Sequence, residues 1–192
     1  MKKTQLLQDL LVFLSVAFFA TIAMDRTLLS AISHTDTLDA IARVFNFIGS
    51  GGFQLSLFLI LLLIGYTRAY GKQGLIAFLS AAITVQALKH LIGASRPWLA
   101  NHGSIEVFTG PTLAKGFDSF PSGHTTTSFA LCYVFSRRYP RLTLPLYLTA
   151  VLVGLARLYC HAHWPVDVLA GAVVGTSAGY VLIRIQKDKD IR

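Results

Sequence analysis

Six polar residues stand out in this sequence because their side-chain types suit the binding and reaction of an anion. They fall in three stretches of an otherwise apolar chain: Lys89, Arg96, His124, Arg157, His163 and Asp167. A carboxylate bonded to one imidazole nitrogen fixes the tautomer of a histidine and makes its other nitrogen a better nucleophile. Lysine and arginine stabilise negative charge, and a second histidine can move protons. The set therefore predicts chemistry on an anionic substrate.

The composition places these residues in a membrane protein. Of 192 residues, 54% are hydrophobic and 14% are charged, and the mean hydropathy is +0.58. Soluble domains usually carry about 25% charged residues. The formal net charge of +8 could suggest a nucleic acid partner. The basic residues lie in short clusters between apolar runs, however. We therefore expect membrane lipids as partners and no nucleic acid.

Six apolar segments are long enough to cross a bilayer, given that their ends can reach the polar headgroups. The period-2 alternation of a membrane barrel is absent, and helices satisfy their own backbone groups in hydrocarbon. We therefore expect an all-α polytopic membrane protein with a single domain over residues 1–192. The six predicted helices are Leu6–Met24, Phe47–Tyr66, Gly74–Ile92, Pro121–Ser136, Leu142–Tyr159 and Pro165–Ile185.

The basic residues of the connections predict the orientation. One side carries 11 of the 17 lysines and arginines, the other side carries 3, and the remaining 3 are Lys89, Arg96 and Arg157. By the positive-inside rule the richer side is cytoplasmic, so both termini are expected inside a plasma (inner) membrane. The longest candidate functional loop, Gly93–Phe120, lies outside. Its length and glycines permit a lid, but an ordinary surface loop is the favoured interpretation.

This topology brings distant residues to one level of the membrane. The third and fifth predicted helices end outside, at Lys89 and Arg157, while the fourth and sixth begin there. Three cations then lie near one acid, Asp167, which predicts an electropositive pocket for an anion. The alternative, that the cations only extend to lipid headgroups, does not explain their convergence beside two histidines.

Two short runs refine the pocket. In Pro121-Ser122-Gly123-His124, proline suits the first position of a helix, and exposed amides at a helix start bind anions. If Pro165 opens the last helix, Asp167 is its third residue and can reach back towards His163. His161 and His163 could suggest a metal site. Three nearby cations would repel a metal ion, so no metal and no cofactor are expected.

These motifs resemble those of the type 2 phosphatidic acid phosphatase (PAP2) family. Lys89, six residues and Arg96-Pro97 are similar to its first motif, and Pro121-Ser122-Gly123-His124 is similar to its second. Arg157, five residues, His163, three residues and Asp167 are similar to its third. The motifs span residues 89–167 in the family's order. One departure is Ala156, where the family usually has serine.

The resemblance implies a role for each site residue. His163 would attack phosphorus and form a phosphohistidine, with Asp167 orienting it, and His124 would protonate the leaving oxygen and then activate water. Five groups would hold the phosphoryl oxygens of the substrate: Lys89, Arg96, Ser122, the Gly123 amide and Arg157. The expected reaction is metal-independent hydrolysis of a lipid phosphate or diphosphate at the outer face of the membrane.

The motifs bind the phosphoryl group that many lipids share, so the lipid itself stays open. Undecaprenyl diphosphate is the favoured substrate, followed by phosphatidylglycerol phosphate, phosphatidate and lipid A phosphate. An anion transporter or channel is an alternative of a different class, but a pore does not need a His163–Asp167 pair. Vanadium haloperoxidases share this anion site, but they are soluble proteins.

Overall fold

The protein is described here by a computed structural model that covers residues 29, 32–99 and 108–190, with side chains to residue 186. Over these ranges the regular structure is helical, apart from one isolated bridge between Ala94 and Phe108. We number the helices α1 Asp36–Gly49, α2 Gly51–Leu63, α3 Arg68–Ile92, α4 Gly123–Arg138, α5 Thr143–Tyr159 and α6 Pro165–Asp190. The all-α prediction is confirmed for these residues.

The count of membrane spans agrees only in part with the prediction. Three described helical stretches are long and apolar enough to cross a membrane: Gly65–Ile92, Pro140–Tyr159 and Pro165–Gln186. The pair α1 and α2 would make a fourth if it is one bent span. The predicted helix Leu6–Met24 lies outside the described residues. Six spans are therefore not confirmed.

The prediction of one helix over Phe47–Tyr66 is wrong. A break at Ser50 separates α1 from α2, and the two helices meet at a bend of 53°. Ser50 has an extended backbone, and its hydroxyl accepts a hydrogen bond from the Phe53 amide at 3.2 Å, which caps the start of α2. Serine is a favoured capping residue, and the flanking glycines weaken a continuous helix. The run Gly49–Gly52 therefore makes a corner.

The predicted span Pro121–Ser136 corresponds to α4, which is the central helix of the bundle. It contacts α3, α5 and α6. Several of its polar residues are buried: Thr125, Thr126, Thr127, Ser128 and Ser136. With 16 residues, α4 falls short of the length expected for a span. The prediction that this segment spans the membrane is therefore not confirmed, and α4 packs mainly against other helices.

A stripe of glycines lets α6 approach α4 closely. Gly171, Gly175 and Gly179 recur every four residues and therefore share one face of α6. A Cβ atom on each would lie 2.8, 2.1 and 2.9 Å from the carbonyl oxygens of three α4-side residues, namely Ser122, Thr126 and Ala130. The two backbones are therefore in direct contact, as in small-residue interfaces of membrane helices. This contact fixes the start of α4 beside the start of α6.

The connection from α3 to α4 is fastened to the end of α3. Gly93 ends the helix in a left-handed conformation, with φ of 61°, and a Cβ there would lie 2.1 Å from the Gly110 carbonyl oxygen. Further along, the Arg96 amide donates to the Gly116 carbonyl at 2.8 Å, and the Ser119 amide donates to the Ala94 carbonyl at 2.9 Å. These bonds hold residues 116–119 against the bundle. Residues 100–107 of the predicted loop lie outside the described ranges.

Replacing Gly175 by valine is expected to destabilise the protein, because the new side chain must separate α4 from α6. Overpacking of this kind costs about 1–3 kcal/mol. Thermal denaturation in detergent measures the effect as a lower melting temperature. Gly52→Ala is the matched control, since a Cβ at Gly52 meets no atom within 4 Å. Equal melting temperatures for the two variants would contradict the close contact.

Candidate active site

A buried histidine–aspartate pair lies at the start of α6. His163 is 2% exposed and Asp167 is fully buried. His163 Nδ1 lies 3.2 Å from Asp167 Oδ2, and the same oxygen accepts the Trp164 amide at 2.9 Å. The expected reach of Asp167 back across the helix start is therefore present, with Pro165 as the first helical residue. The Ser119 hydroxyl also donates to Asp167 Oδ2.

These contacts determine the tautomer of His163. A carboxylate only accepts hydrogen bonds, so Nδ1 carries the hydrogen and Nε2 keeps its lone pair. Burial lowers the pKa of His163 to about 4, while the hydrogen bond and charge of Asp167 act in the opposite direction. At neutral pH the ring is therefore neutral. Its Nε2 is available as a base or a nucleophile.

Lys89 and Arg96 both contact a residue that the sequence analysis did not select, Asp118. Arg96 donates from Nε and Nη2 to the two carboxylate oxygens of Asp118, each at 2.8 Å. The Arg96 hydrogen bond lowers the pKa of Asp118 below its usual range. The buried Lys89 ammonium donates to the carbonyl oxygens of Asp118 and Ser119. A buried lysine so paired is fixed in position.

Asp118 changes the expected charge balance. The sequence analysis placed one acid beside the three cations, and that expectation is wrong, because Asp118 adds a second carboxylate next to Arg96. Three cations and two carboxylates leave an excess of one positive charge. Asp118 and Ser119 stand immediately before Phe120-Pro121-Ser122. Their position next to the second motif is the sequence signal that could have identified both residues as part of the site.

Arg157 is held from α1. Its Nη1 donates to Asn46 Oδ1 at 2.6 Å, and the Asn46 amide nitrogen lies 3.0 Å from the Cys160 sulfur. The buried Nε of Arg157 has no hydrogen-bond partner in the described part of the chain. An orphaned donor on a buried guanidinium suits an anionic ligand. No local sequence pattern links Asn46 to Arg157, which lies 111 residues later.

The start of α4 differs from the prediction at one point. Pro121 was expected as the first helical residue, but the helix begins at Gly123 and Ser122 is its N-cap. Pro121 follows a cis peptide bond and precedes the cap. Ser122 is buried, and its amide donates to the Asp167 main-chain carbonyl at 3.0 Å. This bond joins the second and third motifs directly.

Gly123 and His124 complete the site. A Cβ at Gly123 would lie 3.8 Å from Lys89 Cε, so this glycine is beside the lysine. The Gly123 amide, as the first of the helix, has no partner within the helix. The imidazole of His124 is within electrostatic range of four charged or titratable site residues: Arg157, His163, Arg96 and Lys89. All eight residues selected from the sequence therefore lie around one space.

The remaining candidates stay outside this cluster. His161 has a positive φ of 48°, and its Nε2 lies 3.1 Å from the Leu29 carbonyl oxygen. Within the residues whose placement is described, no three histidine, cysteine or acidic side chains converge as a set of metal ligands. Ala156, in place of the family's usual serine, is buried beside Arg157.

Comparison with known proteins identifies the family. A model of the PAP2 superfamily matches residues 70–191. The chain belongs to the PAP2 superfamily. The resemblance drawn from the three motifs is therefore confirmed. The matched range contains all eight residues that were selected from the sequence, but Asn46 lies before it.

Curated relatives of the chain are named as phosphatases. A lipid A 1-phosphatase of Rhizobium etli is 34% identical over 95 residues, which are 50% of this chain and 41% of that protein. An undecaprenyl-diphosphatase of Sulfolobus acidocaldarius is 28% identical over 138 residues, 69% of this chain and 63% of that protein. The chain thus spans less than half the length of the lipid A 1-phosphatase.

Two solved structures share the fold. LpxE of Aquifex aeolicus has a TM-score of 0.65 at 24% identity, over 84% of this chain and 93% of that chain. A PAP2-type phosphatidylglycerolphosphate phosphatase of Bacillus subtilis has a TM-score of 0.65 at 22% identity, over 98% of each chain. At this level of identity the likeness concerns the fold alone.

The pKa of His163 leads to a pH prediction. Its ring is expected to stay neutral from pH 7 to about pH 5 and to take up a proton near pH 4. The pKa of His163 in the folded protein lies below that of a free imidazole, about 6.5. Burying the neutral ring therefore contributes its full share to the free energy of unfolding above about pH 6.5, and this contribution is lost as the pH falls towards 4.

Nitrogen NMR of histidine-labelled protein in detergent measures this titration. The His163 signals are assigned as those that disappear in His163→Gln. A chemical shift of Nε2 that changes with a midpoint at 6.5 or above would contradict the buried neutral ring.

Proposed function

We propose that this chain hydrolyses a lipid phosphate or diphosphate without a metal ion, through a phosphohistidine intermediate. The observation that carries the proposal is the neutral, buried His163, whose Nδ1 is bonded to Asp167, so that the ring lone pair is on Nε2. The cations Lys89, Arg96 and Arg157 lie around it. Membership of the PAP2 superfamily and relatives named as phosphatases support the same reaction.

The reaction proceeds in two displacements. Nε2 of His163 attacks phosphorus in line, the bond from phosphorus to the leaving oxygen breaks, and His124 gives that oxygen a proton. His124 then takes a proton from water, which attacks the phosphohistidine and releases inorganic phosphate. Asp167 stabilises the imidazole of His163 as positive charge develops on it. Both histidines return to their starting protonation states.

The phosphoryl oxygens are held by donors that converge from three helix ends. These donors are Lys89, Arg96, Ser122, the Gly123 amide and Arg157. They stabilise the charge that the transition state spreads over the oxygens, a role that magnesium serves in many phosphoryl transfers. Arg96 must share its guanidinium between the phosphate and Asp118. The orphaned Nε of Arg157 is a donor that the substrate would satisfy.

The membrane context sets the location of the reaction. The helix ends that carry the site lie opposite the connections richest in arginine and lysine. By the positive-inside rule, the active site then faces the exterior or periplasm of a plasma membrane, with both termini cytoplasmic. A lipid substrate can keep its chain among the helices while its phosphate meets the cations.

Undecaprenyl diphosphate is the proposed substrate, as the sequence analysis favoured. Relatives named as undecaprenyl-diphosphatases support it, among them one of Bacillus subtilis that is 36% identical over 66 residues. Lipid A 1-phosphate is the second candidate, because three relatives carry the name lipid A 1-phosphatase. Both lipids present a terminal phosphoryl group to the same donors.

Phosphate release from purified protein in detergent with EDTA tests the function. The panel is undecaprenyl diphosphate, lipid A 1-phosphate, phosphatidylglycerol phosphate and phosphatidate, and the first is expected to have the highest kcat/KM. His163→Ala is expected to lower the rate at least about 10³-fold, because the nucleophile is gone.

His161→Asn is the matched control, since His161 lies two residues away and outside the motifs. Asparagine tolerates its positive φ, so this variant should keep its activity. Release that persists in His163→Ala would overturn the mechanism. No release from any lipid by the unmodified protein would overturn the function itself.

A further inference from the structure

A crevice opens beside His124, between the bend of α1 and α2 and the neighbouring face of α3. Its volume is about 190 Å³. Gly49 and Gly51 line it from the bend, and Phe78, Ala82 and Val85 line it from α3. These three α3 residues recur at intervals of four and three, so they form one stripe of the helix. The crevice is therefore mainly apolar and continuous with the active site.

The small residues of the bend create this space. A Cβ at Gly49 would lie 3.3 Å from His124 Cδ2 and 2.4 Å from Val153 Cγ1, so the bend and the His124 ring are in close proximity. A Cβ at Gly51 would lie 3.6 Å from the Phe78 ring. The crevice therefore lies where the bend of α1 and α2 meets α3 and the His124 ring.

The direction of the reaction decides which part of a substrate lies here. In an in-line displacement, the leaving oxygen lies opposite the nucleophile, His163. His124 can protonate that oxygen only if the oxygen is within hydrogen-bond reach of its ring. The lipid is attached to the leaving oxygen, directly or through a second phosphate. The lipid chain therefore starts at His124.

We propose that the crevice between the α1–α2 bend and α3 binds the first, phosphate-proximal segment of the substrate's hydrocarbon chain. The proposal rests on the proposed function, since it requires a lipid leaving group. Apolar walls favour a hydrocarbon chain over water, and the bilayer supplies the rest of the chain's surroundings. The length of chain that the crevice accepts then contributes to substrate choice.

A second apolar groove offers a natural control. It lies between α4, α5 and α6, with a volume of about 270 Å³, and Ala172 is part of its wall. The residues that line it include none of the eight selected site residues. Leu158 and Pro165 bring it close to Arg157 and His163 in sequence, but His124, which would protonate the leaving oxygen, is not part of its wall. A lipid leaving group should therefore not occupy it.

Matched substitutions in the two grooves test the proposal. Ala82→Phe narrows the proposed crevice, and Ala172→Phe narrows the control groove; both alanines are partly buried on one face of a long helix. Each variant is assayed with a long-chain lipid diphosphate and with inorganic diphosphate, a soluble substrate whose leaving group carries no hydrocarbon. Ala82→Phe is expected to lower kcat/KM for the lipid at least about tenfold and to leave the soluble substrate within about twofold. Ala172→Phe should change neither.

Each outcome bears on the proposal separately from the function. A selective loss of lipid hydrolysis in Ala172→Phe, or unchanged lipid hydrolysis in Ala82→Phe, would overturn the crevice assignment. If Ala82→Phe loses both activities, a second measurement tests the crevice: the inhibition of the unmodified protein by alkyl phosphates of increasing chain length. Affinity that rises with the first methylenes supports the crevice, and affinity independent of length overturns it. Failure of the unmodified protein on both substrates would instead contradict the proposed function.

A different observation assigns a positioning role to Asn46. We infer that Asn46 holds Arg157 in the orientation that receives a phosphoryl group. Its Oδ1 accepts from Arg157 Nη1 at 2.6 Å, which turns the guanidinium so that the buried Nε stays unpaired. The Asn46 amide nitrogen also lies 3.0 Å from the sulfur of Cys160, which is exposed and is a weak acceptor. It belongs to none of the three motifs.

Vanadate inhibition of the purified protein tests this role, because vanadate occupies a phosphate site without needing the lipid. Asn46→Leu keeps the size of the side chain and removes the acceptor, so the inhibition constant should rise at least about tenfold. Cys160→Ala removes the other partner of the Asn46 side-chain amide and should leave the inhibition constant within about twofold. An unchanged inhibition constant in Asn46→Leu would overturn the inference, even if its melting temperature falls.

Discussion

The carboxylate of Asp167 is the group on which the arrangement of the site depends. It is fully buried, and its Oδ2 accepts hydrogen bonds from the Ser119 hydroxyl, the His163 ring and the Trp164 amide. A buried carboxylate is costly unless donors surround it, so the chain segments that supply those donors are drawn together. One of these segments precedes α4, and the other opens α6. The same oxygen thus fixes the tautomer of His163 and joins two motifs.

The helix packing makes this arrangement possible. Gly171, Gly175 and Gly179 allow the backbones of α6 and α4 to touch, and the Ser122 amide reaches the Asp167 carbonyl at the end of that contact. On the other side, the bend at Ser50 brings α1 close enough for Asn46 to meet Arg157. Polar groups that hydrocarbon would penalise are therefore collected at one end of the bundle, where most of them bond to one another. Among the described residues, Arg157 Nε and Asp167 Oδ1 are buried there without a hydrogen-bond partner.

Local signals in the sequence predicted the long helices well, and the eight residues selected as a site lie close together at the helix ends. The predicted segments Leu142–Tyr159 and Pro165–Ile185 correspond to α5 at Thr143–Tyr159 and to α6, which starts at Pro165. The run Gly49–Gly52 was a signal for the break at Ser50, but hydropathy averaged over a whole segment does not register a local break. Asp118 adjoined a recognised motif and was overlooked. Asn46 could not be found, because its contact depends on how α1 packs against α5 rather than on any local pattern.

The central claim is that His163 becomes covalently phosphorylated during turnover. Its most direct test is an acid-sensitive, base-stable trap: labelled lipid phosphate is mixed with the protein, the reaction is stopped within one turnover in alkali, and peptides are analysed by mass spectrometry. The account predicts a phosphoryl group on Nε2 of His163. Label on His124, or multiple turnovers with no labelled peptide, would contradict it.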